Sequence, residues 1–426
     1  MVQNIAIVTT ENLPCFSRPC AGGGVRVWGL GEALRRKGFT CLYFLPESLR
    51  HPDMAQSQVP IRFFKPEFLH QEIQNQRCDA ALFEQWQPLT FLKQPLDIPV
   101  IVDLPGPLIL EYYWRDRENF YNHIVEKVDT LSQADYFLCA LERQRSYYSA
   151  WLTWAGLSPN ADRLAVVPFL LHEMPTSRQG HVEDEPQLFW GGMFWPWQER
   201  TTPFRIILDV LTRLRCGQLV ISGGTGGGEK DSVYAEYADH PHVSWLGRLC
   251  FSEYAAELKR AAVAIDLSRP TEERRLSSDL RTGTALWAGA PCLTTPQSPW
   301  AEWIHKHNAG WVLDYEDEKG LRELITEIVL ERVDIAAKRR GAKEASLLIS
   351  NDDQIKPLLN WLQRPEKRSA SPPFFEARFQ DRENRLKESQ EEINRLQHDN
   401  AALRHDLDSI RSNPLFRLYK KITGTR

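Results

Sequence analysis

Short apolar runs alternate with amphipathic helical stretches along most of this chain, and the whole pattern occurs twice. Such alternation marks parallel strands covered by helices, because a parallel neighbour is reached only through a crossover connection. The first set of runs is at residues 5–9, 40–45, 80–84, 100–104, 136–140 and 164–167. A helix expected over 25–37 stops at Gly38, a fitting terminator. A polar, proline-bounded stretch at 175–186 interrupts the pattern. It restarts with runs at 188–190, 219–222, 243–246, 263–267, 291–294 and 311–313. The expected class is α/β, with two tandem doubly wound Rossmann-like domains at 1–174 and 186–345. A cleft between them faces the carboxyl ends of both sheets. A helix at 350–364 and a linker at 365–375 follow.

Beyond the linker the period changes to seven, over 376–412. Position a falls on Phe379, Leu386, Ile393, Asn400 and Leu407, and position d on Arg382, Ser389, Leu396, Leu403 and Ile410. A lone Asn at position a favours a parallel two-stranded coiled coil in a single register. In that register Asp399 faces Arg404 of a second copy and Asp406 faces Arg411, so a homodimer through the coil is expected. Arg382 and Ser389 weaken the seam upstream, which leaves a different partner or docking within the chain open. Pro414 ends the coil. The tail at 413–426 mixes apolar and basic residues, as an anionic membrane surface attracts or as a disordered end also allows.

The formal net charge is −4, with both signs dispersed, so there is no broad basic field for nucleic acid. The eight cysteines are scattered and form no CxxC pair, the usage of a reducing cytoplasm. No apolar run approaches the roughly 20 residues that span a bilayer. The expected location is cytoplasmic, with peripheral contact at the inner membrane face as the most the tail would add.

Several segments carry residues suited to ligand chemistry. Gly22, Gly23 and Gly24 with Arg26 follow the first strand, where consecutive glycines let a backbone approach phosphate. Gly191, Gly192, Trp195 and Trp197 follow the first strand of the second domain, offering close approach and flat faces for stacking, or aromatic packing between domains. Asp103 ends a strand and Glu111 lies soon after, so either carboxylate faces the cleft or caps the next helix. A second glycine run at 223–228 ends in Glu229-Lys230-Asp231 and departs from a phosphate-binding P-loop, so nucleotide hydrolysis is rejected. The segment 272–291 places Glu273, Arg275, Ser277 and Arg281 at the start of an expected helix that closes on Gly-Ala-Pro. A carboxylate beside arginines at a helix start suits a sugar joined to a diphosphate, though an ordinary solvated helix start has the same composition. No HExxH spacing occurs, and no metal is expected.

In order along 4–345, these segments together with 134–145 and 166–169 resemble the glycosyltransferase-B-fold enzymes of the family 4 type, in a bacterial surface-polysaccharide subgroup. The resemblance implies a retaining, metal-independent transferase of hexosyl or deoxyhexosyl groups, with no cofactor beyond the nucleotide-sugar substrate. It implies a donor held by the domain at 186–345 and a saccharide or lipid-linked acceptor held by the domain at 1–174. It implies Glu273 as the donor-sugar contact and Asp103 near the acceptor. Arg275, Ser277 and Arg281, with the glycines at 22–24 and 191–192, Arg26, Trp195 and Trp197, would line the donor site. Two departures stand out: Asp279 replaces the middle arginine of the family pattern, and Arg281 stands where the wider class has a second glutamate. One lost charge-assisted hydrogen bond is worth about 1.5–3 kcal/mol, and Arg26, Arg200 or Arg274 is available to restore it. The departures keep a second reading open, that of a catalytically silent glycosyltransferase-like scaffold acting through its coil. A sugar- or nucleotide-binding module without turnover is the third.

Overall fold

The computed structural model describes residues 2–158, 161–174, 185–195, 197–224, 237, 239–368 and 376–424, excepting the side chains of 55–56, 161 and 376–383. The glycine run beyond Gly224, most of the polar stretch at 175–186, the linker residues 369–375, Pro196, and the coil positions Phe379 and Arg382 lie outside this set. The chain forms two compact units, 1–370 and 371–426.

The first unit holds two parallel sheets. One contains β1 (Asn4–Val8), β2 (Thr40–Pro46), β3 (Ile61–Phe64), β4 (Ala80–Glu84), β5 (Val100–Leu104), β6 (Tyr136–Cys139) and β7 (Leu164–Val166). The other contains β8 (Gln187–Met193), β9 (Gln218–Gly224), β10 (Val243–Gly247), β11 (Val263–Asp266), β12 (Cys292–Thr294) and β13 (Gly310–Val312). Their orders are β3-β2-β1-β4-β5-β6-β7 and β10-β9-β8-β11-β12-β13, every pairing parallel. The central strands β4, β5, β6 and β11 are buried along their whole length, as parallel strands covered on both faces must be. The expected architecture of two doubly wound domains is the one observed. The strand β3 was absent from the expectation: at a sheet edge only its last residue, Phe64, is buried and Arg62 is exposed, so it forms no continuous apolar run.

The chain then returns to the first sheet. Helix Lys356–Gln363 packs there through Trp361, stacked on Tyr136 at 4.6 Å between ring centroids. Lys367 follows with an ion pair to buried Asp135 at 3.1 Å. The two sheets therefore belong to one packed body, held at several points of the sequence.

The second unit is a long helix, Glu376–Ser412, and a short one, Pro414–Thr423. The seam residues Leu386, Ile393, Leu396, Leu403, Leu407 and Ile410 are all exposed in the single chain. Asn413 caps the short helix by accepting from the Leu415 amide at 2.9 Å. Among the described residues no helix is long and apolar enough to cross a membrane.

Candidate functional site

In each sheet the strand order reverses beside the first strand, between β1 and β4 and between β8 and β11. Connections leaving such a point diverge and open a crevice at the carboxyl ends of the strands. Both crevices open on one cavity of about 640 Å³. Glu11, Gly22, Gly23, Glu84, Glu111 and Arg115 line it from the first domain. Gly192, Trp195, Trp197, Gln198, Arg248, Glu273, Arg274, Ser277, Asp279 and Arg281 line it from the second.

The wall of the second domain is built around Asp266, the buried last residue of β11. Arg274 Nη2 lies 2.9 Å from Asp266 Oδ2 and 3.4 Å from Asp279 Oδ1. Arg281 Nη2 is 3.2 Å from Asp266 Oδ1, and the Arg200 guanidinium is 3.9 Å from the same oxygen. Gln198 Oε1 accepts from both Arg200 and Arg281. Burial and the neighbouring Asp279 push the Asp266 carboxyl up. Burial pushes on Asp279 the same way, but Arg274 and the groups that hydrogen-bond to it hold Asp279 below the usual range. Glu273, buried on the cavity wall, is also raised by burial, against the pull of Arg274 and of the Trp197 indole beside it, and among the described residues its Oε2 makes no hydrogen bond of regular geometry. Three guanidiniums thus meet three carboxyl groups, two of which burial pushes toward protonation. Arg281, at 19% side-chain exposure, presents the cluster to the cavity.

The wall of the first domain is acidic and largely uncompensated. Glu84 ends β4 and is raised to about 8 by burial, reinforced by Glu11 and Asp103. Its single hydrogen bond among the described residues is a long one, from the Thr9 hydroxyl at 3.4 Å. Glu111, on helix Leu108–Arg115, is raised to about 7 by burial and by Glu273 across the cleft, with Arg115 3.5 Å away working against the rise. Glu11 is raised by burial despite Arg248 and Arg115. Two carboxyls from different domains, Glu111 and Glu273, therefore meet over the same space. Among the described residues no group of His, Cys, Asp and Glu side chains is arranged to hold a metal ion.

The topology can now be set beside known structures. No protein-family model matches the sequence, and no curated protein matches it. Solved structures do. Sucrose-phosphate synthase from Thermosynechococcus elongatus aligns over 85% of this chain and 98% of its own, at 14% identity and a TM-score of 0.56. Alr3699/HepE of Anabaena, solved with UDP and glucose, aligns over 85% and 98% at 13% identity, TM-score 0.55. WaaG, a glycosyltransferase involved in lipopolysaccharide biosynthesis, aligns over 85% and 100% at 12% identity, TM-score 0.55. The chain has the glycosyltransferase-B fold.

Within this glycosyltransferase-B body the expected site residues separate into two groups. Glu273, Ser277, Arg281, Gly192, Trp195, Trp197, Gly22 and Gly23 line the cavity. Arg26 and Asp103 do not, and their expected roles are corrected. Both are fully buried and joined by two hydrogen bonds, Nε to Oδ2 at 3.0 Å and Nη2 to Oδ1 at 2.9 Å, while Arg26 Nη1 donates to the Pro168 carbonyl at 2.6 Å. The pair ties the helix after β1 to the end of β5 and leaves neither group for a ligand. Arg275 is corrected too: it is half exposed and pairs with Glu272 at 2.8 Å, while its neighbour Arg274 turns inward.

The single helix expected from 272 is two, Glu272–Leu276 and Leu280–Trp287, separated by Asp279 at φ +48°. Asp279 caps the second helix and accepts from Ser298 Oγ at 2.5 Å, and its main-chain carbonyl accepts from the Trp300 indole at 3.0 Å. An aspartate that departs from the family pattern thus builds the bend and anchors Arg274. The glycines make room for protein atoms. A Cβ at Gly191 would meet the Tyr254 hydroxyl at 2.4 Å, and one at Gly24 the Asn12 carbonyl at 2.1 Å; neither glycine lines the cavity. Trp195 and Trp197 stack on each other at 5.2 Å, and the Arg115 guanidinium lies over Trp195 at 4.6 Å, so this pair also bridges the domains. Asp266, Glu84 and Glu11 were not singled out from sequence: each is one acid at or just beyond the end of an apolar run, with nothing local to distinguish it.

Proposed function

We propose that this chain is a glycosyltransferase. It moves a hexosyl or deoxyhexosyl group from a nucleotide-sugar donor to a saccharide or lipid-linked acceptor, in surface-polysaccharide synthesis. The observation that carries this reading is the cavity shared by the two switch points, with a cation cluster on one wall and proton-bearing carboxyls on the other. Its size suits a ligand of nucleotide-sugar dimensions. The fold neighbours point the same way, HepE having been solved with UDP and glucose.

In this reading the donor diphosphate lies against Arg281 and Arg274. Transfer breaks the bond between the anomeric carbon and the terminal phosphate oxygen and forms one to the acceptor oxygen, whose hydroxyl proton leaves with the departing diphosphate. The charge that develops on the departing diphosphate is met by guanidiniums already held in place by Asp266 and Gln198, so no reorganisation is needed. Charge neutralisation by arginine makes a metal unnecessary. Oε2 of Glu273 accepts from a donor-sugar hydroxyl, and Glu111 orients the acceptor from the opposite wall. Retention of anomeric configuration follows from the family resemblance alone. The pairing of two chains through residues 376–412 belongs to the same proposal.

Calorimetric titration of the full chain with a panel of nucleoside diphosphates and their sugars, without metal, tests it. Saturable binding of one nucleotide is expected, weakened about tenfold to a hundredfold by Arg281→Ala, the loss of one charge-assisted hydrogen bond. A folded protein that binds none of them would instead be the silent scaffold acting through its coil.

A further inference from the structure

Helix Pro414–Thr423 separates its residues cleanly by face. Leu415, Leu418, Tyr419 and Ile422 recur at helical spacing and are exposed by 76%, 55%, 61% and 75%. Arg417, Lys420 and Lys421 recur at the same spacing on another face, and the helix carries no acidic residue. An apolar stripe left in water beside a purely basic one is complementary to a surface that is itself apolar beneath a layer of negative charge. A protein groove would need acids matched to three particular positions; a bilayer of anionic lipid supplies both features everywhere along it.

One such helix is about 15 Å long at 1.5 Å per residue and gives little contact area. Its position supplies what the area lacks. It is joined through Asn413 to the carboxyl end of Glu376–Ser412, the helix whose apolar seam residues from Leu386 to Ile410 are exposed. The charges at Asp399, Arg404, Asp406 and Arg411 pair attractively only when the second helix is parallel. Parallel pairing brings two copies of the basic amphipathic helix out at the same end, side by side.

We propose that the coil and the terminal helix form one device, in which two paired chains bind an anionic lipid surface together where a single chain binds it only weakly. This rests on the coil pairing proposed above and on no property of the cavity. Two linked sites of this kind gain about a hundredfold to ten-thousandfold in avidity over one.

The test uses the full chain and cosedimentation with vesicles of phosphatidylcholine, alone or mixed with phosphatidylglycerol. The wild type is expected to sediment as a dimer in solution and to bind the mixed vesicles, with binding that weakens as salt rises. Leu396→Glu with Leu403→Glu should give a monomer whose vesicle affinity falls a hundredfold or more. Leu418→Glu with Ile422→Glu should stay dimeric and lose binding. A wild type that is monomeric, or that ignores the mixed vesicles, overturns the proposal. So does a monomeric coil variant that binds as tightly as wild type. Nucleotide titration of the same variants keeps the two readings apart, since its failure strikes the transferase assignment and leaves vesicle binding intact.

Discussion

Glu84 and Asp266 occupy corresponding places in the two sheets. Each is the last residue of the strand across the switch point from the first strand, and each is buried; Glu84 lines the shared cavity, and Asp266 sits behind Arg274 and Arg281, which do. Their surroundings are opposite. Asp266 touches three guanidiniums, whereas Glu84 has the Thr9 hydroxyl and two further acids as its electrostatic neighbours. The same position thus yields an arginine cluster suited to an anion in one domain and a carboxyl that burial pushes toward protonation in the other. A fold that repeats its geometry need not repeat its chemistry. The division between an arginine-bearing wall and an acidic wall is written in what surrounds two acids.

The largest expected effect lies on the arginine side. Arg274→Met removes a guanidinium shared by Asp266 and Asp279 and leaves buried acids short of a counter-charge, a change that costs about 3–5 kcal/mol. Denaturant titration at neutral pH should show a midpoint lowered accordingly, and Asp266→Asn in the same chain should recover part of the loss. A variant as stable as wild type would mean that Arg200 and Arg281 suffice, and the two walls would differ less than their contacts indicate.

The opposite sign is expected on the acid side. The folded state holds the Glu84 proton up to about pH 8, against an ordinary value of 4.5. The folded protein therefore binds more protons than the unfolded chain across that window, and stability contributed by this group falls as pH rises through it. Glu84→Gln cannot ionise and should stabilise the protein by as much as a few kcal/mol at pH 8, with little gain below pH 4.5. Thermal melts of both proteins across that range check the sign. A constant difference between them would show that Glu84 is not the group that titrates.

Much of this contrast was out of reach of the sequence. The strands were readable because parallel strands buried on both faces are nearly continuous apolar runs, and β4, β5, β6 and β11 are of that kind. The cleft followed from the repeated pattern, and Glu273 and Arg281 from their company in one segment. What failed was direction. Arg26 and Asp103 have the composition of a phosphate loop and a strand-end acid, but they are 77 positions apart and meet inside the domain. Arg275 was chosen over Arg274 because it matches the family pattern, yet in helix Glu272–Leu276 it is Arg274 that turns inward, onto Asp266. The partners that decide each carboxyl's state come from distant segments, so local composition carries no sign of them.

The smallest effect separates two glycines that look alike in sequence. A Cβ on Gly23 would come within 2.3 Å of Glu84 Oε1, and one on Gly192 within 2.5 Å of Arg281 Cδ. Gly23 lies in the first turn of helix Gly22–Arg36, where alanine is otherwise favoured, whereas Gly192 has φ +96°, which L residues rarely adopt. Gly23→Ala should therefore cost about 1–3 kcal/mol by crowding the Glu84 carboxyl. In a Glu84→Ala background the same change should cost nothing or stabilise slightly, a coupling that a double-mutant cycle reads directly. Gly192→Ala should keep most of its cost, about 1–3 kcal/mol, when Arg281 is also alanine, because the strain there is in the backbone. Equal rescue in both cycles would show that the two turns are constrained in the same way. Rescue at Gly23 alone would place the constraint of the first domain in its acid and that of the second in its main chain.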